Sequence, residues 1–289
     1  MSWRIDTALK QASERLRYAA ERPRYEAEIL LAYHLGCERA TLLLRDREAL
    51  ADPEGFFALV ERRAAHEPVE YLTGRAGFYS EEFHVAPGVL IPRPETELLV
   101  DEVSALVRRL GLRRIAEIGV GSGAVSVTLA RLFPRLEIVA TDISPAALEI
   151  ARLNAERFGV ADRVELRRAS LLEGVGEVEL ICSNPPYVAE GTPLAPNVAE
   201  YEPPEALYAP GDGASLLREI VLLGRERGVP VVCEMGYDQR EAMEIFFADE
   251  GIEGARFYRD LAGMDRGFVV VDDKAQLKGV PTEGRKVKS

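Results

Sequence analysis

The stretch Ile115-Ala116-Glu117-Ile118-Gly119-Val120-Gly121-Ser122-Gly123 reads as a strand that runs into a glycine-rich turn. Its apolar start suits a buried strand. The glycines let the backbone turn sharply and approach a nucleotide-like ligand. Asp142 closes the next apolar run, 23 residues after Gly119, where a carboxylate can accept both hydroxyls of a ribose. The stretch Gly119 to Ala124 also satisfies the dinucleotide pattern G-x-G-x-x-G/A, so a nicotinamide dehydrogenase competes at this point. Two plainer readings stand beside these. The turn could be a tight connection without ligand, and Asp142 could cap a helix ahead of Ser144-Pro145.

Working outward, the chain from Pro92 alternates helix and strand. Pro94-Glu95-Thr96-Glu97 opens a helix to about Leu110. Strand-like runs fall at 113–118, 136–141, 163–168, 178–183, 229–234, 254–259 and 267–272, and helical runs at 122–133, 145–158, 213–227 and 238–250. Such alternation predicts an α/β, doubly wound, mostly parallel seven-stranded sheet with right-handed crossovers. Only Asp260-Leu261-Ala262-Gly263-Met264-Asp265 separates the last two strands. That is too short for a parallel crossover, so the last strand is predicted antiparallel. One reversed strand closing a parallel sheet is the class I methyltransferase arrangement.

Before Pro92 the pattern differs. Trp3, Ile5, Leu9, Ala12, Leu16 and Ala19 recur at helical spacing, and Asp52-Pro53-Glu54 is a strong helix start. The predicted organisation is an N-terminal helical domain over 1–74, of a kind that more often binds or orients a partner such as a substrate than does chemistry, and a β-hairpin linker over 75–92. A methyltransferase domain follows over 93–271, then a disordered tail over 272–289 that holds four of the five lysines.

The 289 residues are 47% apolar and 29% charged, ordinary for a globular protein with room for about two domains. No apolar run approaches the roughly 18 residues that span a bilayer, and the start lacks the pattern of a secretory leader. Cys37, Cys182 and Cys233, like His34, His66 and His84, are too scattered for a disulfide framework or a metal site. A cytoplasmic protein without metal is the expectation. Residues 93–271 carry 19 basic and 30 acidic side chains. That balance argues against stable nucleic-acid binding, which needs basic contacts to phosphates.

The other informative stretch is Asn184-Pro185-Pro186-Tyr187, at the carboxyl end of the apolar run 178–183. Open α/β sheets place their ligands there. Two prolines delete two N–H donors and leave an acceptor-rich patch: the Asn184 side-chain oxygen and nearby carbonyls. Such a patch suits a planar NH2 group, whose two hydrogens need two acceptors, with the Tyr187 ring packing over it. By itself it could also be a strand-terminating turn. Beside the glycine turn, it favours methylation of a planar nitrogen over dehydrogenase chemistry.

Further stretches carry a resemblance. Glu67-Pro68-Val69-Glu70-Tyr71-Leu72-Thr73-Gly74, Leu90-Ile91-Pro92-Arg93-Pro94-Glu95-Thr96-Glu97 and Asp260-Leu261-Ala262-Gly263-Met264-Asp265-Arg266 resemble the HemK/PrmC family. Glu202-Pro203-Pro204-Glu205-Ala206-Leu207 and Cys233-Glu234-Met235-Gly236 fit it too. The resemblance covers about residues 5 to 271. It implies S-adenosylmethionine-dependent methylation of the glutamine amide (N5) in the Gly-Gly-Gln motif of class I peptide-chain release factors. On it, Gly119, Val120, Gly121, Ser122 and Gly123 hold the cofactor, Asp142 takes its ribose, and Leu171 lies near the adenine. Asn184 and the Pro185 carbonyl hold the amide NH2, Pro186 and Tyr187 complete the substrate site, and Pro92 to Glu97 border it. A paralogous family acts on a ribosomal-protein glutamine, and adenine N6 of DNA or RNA offers a similar planar NH2. A cofactor-binding adaptor without catalysis is the remaining alternative.

Overall fold

A computed structural model describes residues 3–271; the predicted tail over 272–289 lies outside the described residues. Two compact units form. One takes the chain through Ala76 with His84–Ile91 and Pro193–Pro203; the other takes Gly77–Phe83, Pro92–Thr192 and the chain from Pro204.

In the first unit, helices α1 (Ile5–Arg15), α2 (Pro23–His34), α3 (Pro53–Ala64) and α4 (Val69–Thr73) enclose a core that includes Ile5, Leu16, Leu30, Phe56 and Val60. The Asp52 side chain accepts from the Gly55 N–H at 3.0 Å and caps α3, with Pro53 in the first turn. Gly74, at φ 70°, ends α4 in the left-handed conformation that glycine adopts without penalty. Pro193–Pro203 falls within the 93–271 stretch that the sequence pattern assigns to the methyltransferase domain, yet it packs with the helices. The reason is polar as well as apolar. Tyr201 donates its hydroxyl to the Ala65 carbonyl at 2.6 Å, and the buried Glu202 carboxylate accepts from the Ile91 N–H at 3.0 Å.

Strands β1 (Arg75–Phe78) and β2 (Glu81–His84) form a two-stranded sheet. Tyr79 and Ser80 turn between them with φ 51° and 63°. The Tyr79 N–H, held by the Glu97 carboxylate at 2.7 Å, is tied to the second unit.

There the order is α5 (Glu97–Leu110), β3 (Arg114–Ile118), α6 (Ala124–Leu132), β4 (Glu137–Asp142), α7 (Pro145–Arg157), β5 (Val164–Arg168) and β6 (Ile181–Ser183). Next come β7 (Val188–Ala189), the short α8 (Pro196–Ala199) of the first unit, and β8 (Tyr208–Ala209). The chain closes with α9 (Ser215–Arg227), β9 (Val231–Glu234), α10 (Arg240–Asp249), β10 (Ala255–Arg259) and β11 (Asp265–Val270). The seven-stranded sheet runs β10-β11-β9-β6-β3-β4-β5. The last strand is antiparallel to both neighbours, as its short connection requires. It inserts between β9 and β10 rather than sitting at the edge.

Alternate residues of the central strands feed two cores. Ile115, Ile138, Ala140, Cys182, Val232 and Val269 pack with α5, α6 and α7. Ala116, Ile118, Val139, Ile181, Val231 and Phe268 pack with α9 and α10. A sheet covered on both faces needs apolar side chains at both parities, hence the nearly continuous apolar runs. Its carboxyl edge gathers the loops after β3, β4, β6 and β9.

Candidate active site

The turn after β3 is held from below. The N–H groups of Gly119 and Val120 both donate to the Thr141 carbonyl, at 2.8 and 3.0 Å. Gly119, Gly121 and Gly123 take φ 76°, 53° and 81°, the region open to glycine. Gly123 is closely packed too: a Cβ there would lie 3.1 Å from the Ala151 Cα of α7, so that helix would have to give by a few tenths of an ångström. The Asn154 amide donates to the Ser122 carbonyl at 2.8 Å and ties the turn to the same helix.

Asp142 ends β4 beside this turn. One oxygen accepts from the Gly121 N–H at 3.0 Å and the other from the Ser144 N–H at 2.9 Å. Each oxygen keeps lone-pair capacity for a diol hydroxyl. The cap of α7 is Ser144, whose Oγ accepts from the Ala147 N–H at 3.3 Å. Leu171 turns at φ 47°, and its carbonyl accepts from the Thr141 hydroxyl at 2.6 Å. Both loops flanking Asp142 therefore rest on Thr141. A glycine turn with a carboxylate at its side and an apolar side chain nearby fits an adenosyl cofactor.

Under the turn, Glu117 is only 2% exposed and accepts from the Ser126 hydroxyl. Burial, reinforced by the nearby Asp142 charge, pushes its carboxyl up to about 8; the Ser126 bonds oppose this.

The loop after β6 comes close to the glycine turn: a Cβ on Gly119 would stand 3.9 Å from the Asn184 carbonyl oxygen. Ser183 anchors its start, donating to the Ile118 carbonyl at 2.7 Å. The Asn184 amide nitrogen donates to the Thr96 hydroxyl at 3.0 Å, so the motif around Pro92 to Glu97 meets this loop through Thr96. That bond orients the amide and leaves its Oδ1 to accept. Pro185 is buried and Pro186 half-buried. The Tyr187 hydroxyl donates to Glu234 Oε1 at 3.1 Å, and its carbonyl accepts from the Gln239 amide at 2.9 Å. Burial, then the Glu234 charge, raises the Tyr187 phenol, so it stays protonated. Thr96 is the helix-opening residue beside Asn184, while Glu234 and Gln239 went unassigned by sequence reasoning. The sequence signals for Glu234 are a carboxylate closing an apolar strand, Val231 to Cys233, and its place in the stretch Cys233-Glu234-Met235-Gly236 that fits the resemblance.

Two family models match the chain: the PrmC N-terminal domain over residues 7–74 and the methyltransferase small domain over 94–200. A release factor glutamine methyltransferase of Xylella fastidiosa (strain 9a5c) is 40% identical over 83% of this chain and 90% of its own. That of Geobacter sulfurreducens is 39% identical over 83% and 87%. The chain belongs to the release factor glutamine methyltransferase family. It is accordingly an S-adenosylmethionine-dependent methyltransferase, and the dehydrogenase reading of the glycine turn falls. Among solved structures, the hMettl16 catalytic domain in complex with a MAT2A 3′UTR hairpin superposes with TM-score 0.55 at 17% identity. It covers 66% of this chain and 76% of its own, a likeness of fold. Among the described residues there is no cluster of metal-ligating side chains, and no helix is long and apolar enough to cross a membrane.

Proposed function

We propose that this protein transfers a methyl group to the side-chain amide nitrogen (N5) of the glutamine in the Gly-Gly-Gln motif of class I peptide-chain release factors. The observation that carries this reading is the Asn184 amide, pinned by its nitrogen to Thr96 at 3.0 Å with its oxygen left to accept. In the proposed site, Gly119, Val120, Gly121, Ser122 and Gly123 cradle the cofactor, Asp142 accepts its ribose hydroxyls, and Leu171 gives the adenine an apolar face. Bound S-adenosylmethionine supplies an electrophilic methyl group. Asn184 Oδ1 and the Pro185 carbonyl accept the two hydrogens of the substrate NH2, Pro186 stiffens the loop, and Tyr187 packs alongside.

An amide nitrogen is a weak nucleophile because its lone pair is delocalised into the carbonyl. Acceptors on both hydrogens hold the nitrogen in line with the methyl group and stabilise the positive charge that develops on it. The product amidium is acidic enough to lose its proton to water. The helical unit orients the release factor; exposed Leu43 and Leu44 offer it apolar surface. A translation factor as substrate means a cytoplasmic reaction. The acidic balance of residues 93–271 disfavours adenine N6 as the acceptor, because nucleic-acid capture relies on basic side chains.

Incubation with release factor and S-adenosylmethionine, followed by mass spectrometry of the Gly-Gly-Gln peptide, tests the reading. A glutamine one methyl group heavier supports it. Methylation elsewhere, or of nucleic acid alone, ends it.

A further inference from the structure

Glu234 closes β9 and has no part in the roles above. It is 2% exposed. Its Oε1 accepts from the Tyr187 hydroxyl at 3.1 Å, while its Oε2 is buried with no hydrogen-bond partner among the described residues. The Thr96 hydroxyl faces this carboxyl and favours its charged form without reaching hydrogen-bond geometry, and the same hydroxyl accepts from Asn184. Glu234 therefore lies behind both side chains that flank Pro185 and Pro186. The other titratable groups facing it are Glu95, Arg266 and Tyr258.

A hydroxyl has one hydrogen to donate, and an ionised carboxylate only accepts. While Glu234 is ionised, the Tyr187 hydrogen is committed to it, and the phenol oxygen has only lone pairs left to offer. One hydrogen of the Asn184 NH2 is likewise committed to Thr96. We propose that Glu234 is a positioning residue: its carboxylate holds the Tyr187 hydroxyl and draws the Thr96 hydroxyl towards it, so that neither hydroxyl hydrogen turns to the substrate NH2. A protonated Glu234 reverses this. Its single acid O–H donates to the Tyr187 or the Thr96 oxygen, and the hydroxyl hydrogen so displaced then opposes those of the substrate amide. Burial first, with Glu95, pushes the Glu234 carboxyl up to about 7 against the pull of Thr96, Tyr187 and Arg266, so the switch lies in a workable pH range.

This inference rests on the proposed roles of Asn184 and Tyr187. The test is kcat against pH for methyl transfer to release factor at saturating cofactor. The parent enzyme should lose activity as pH falls through about 7. Glu234→Gln should lower kcat by about 10–100-fold, by analogy with the loss of a hydrogen-bond partner that orients a metal ligand, with cofactor Kd unchanged and the acid limb gone. Tyr187→Phe removes a bond that favours the carboxylate, so its limb should move to higher pH. That variant carries the test if Glu234→Gln does not fold. A merely structural role predicts a lower Tm and an acid limb unmoved in both variants, which overturns the inference. Asn184→Ala separates the two levels. Full turnover there sinks the site itself, whereas an inactive Asn184→Ala beside an unmoved limb sinks only Glu234.

Discussion

At the scale of single residues, the site is a set of committed hydrogens. Asn184 can act as an acceptor because Thr96 takes its amide nitrogen. Asn184→Ala should slow transfer by about 10²–10³-fold, by analogy with a lost oxyanion donor, with cofactor affinity retained. Single-turnover rates and calorimetric titration with cofactor check both halves. Thr96→Val removes the acceptor and frees the amide to turn over. A loss of about tenfold in kcat is expected, the worth of one hydrogen bond, and Thr96→Ser should restore it. Neither partnership is legible in the chain. Thr96 and Asn184 stand 88 positions apart, and Tyr187 and Glu234 stand 47 apart. The motif residues announce themselves by type and spacing, but their partners are common polar residues until the fold makes them neighbours.

At the scale of elements, local pattern was a reliable guide. Strands predicted at 113–118, 136–141 and 163–168 form at 114–118, 137–142 and 164–168, because buried parallel strands demand runs of apolar side chains. The helix opened by Pro94 begins as a short 3-10 turn before α5, which brings Thr96 into the core. The glycine turn joins local and tertiary demands at Gly123, where φ 81° strains any side chain and the nearby Ala151 backbone crowds it. Gly123→Ala should therefore destabilise the fold by about 1–3 kcal/mol and weaken cofactor binding. Urea denaturation and a binding isotherm would measure these; an unchanged midpoint would mean that α7 yields easily. The position of β11 was not legible. Its short connection dictates direction, whereas insertion between β9 and β10 depends on which strands still have an open edge.

At the scale of the whole molecule, the sheet buries two carboxyls with raised pKa, Glu117 at about 8 and Glu234 at about 7. Their folded values exceed the ordinary 4.5 of the unfolded chain, so the folded state binds their protons more tightly. That stabilisation is complete below about pH 4.5 and is lost as pH rises through 7 and 8. Thermal stability should accordingly decline between about pH 5 and 8. Glu117→Gln keeps an acceptor for Ser126 and never ionises. It should outlast the parent near pH 8 by a few kcal/mol and match it near pH 4.5 in a scan of Tm against pH. Equal pH slopes in the two proteins would acquit Glu117. The doubly wound sheet, the reversed last strand and the two loops that name the chemistry are legible in the order of residues alone. Apolar periodicity, glycine and proline act through the local backbone, and so they can be read in order along the chain. Folding in three dimensions is what puts Pro193–Pro203 with the helical unit, β11 in an interior place, and Thr96 and Glu234 behind Asn184 and Tyr187. Those outcomes depend on which distant groups share the limited space at one sheet edge, and no local pattern encodes that.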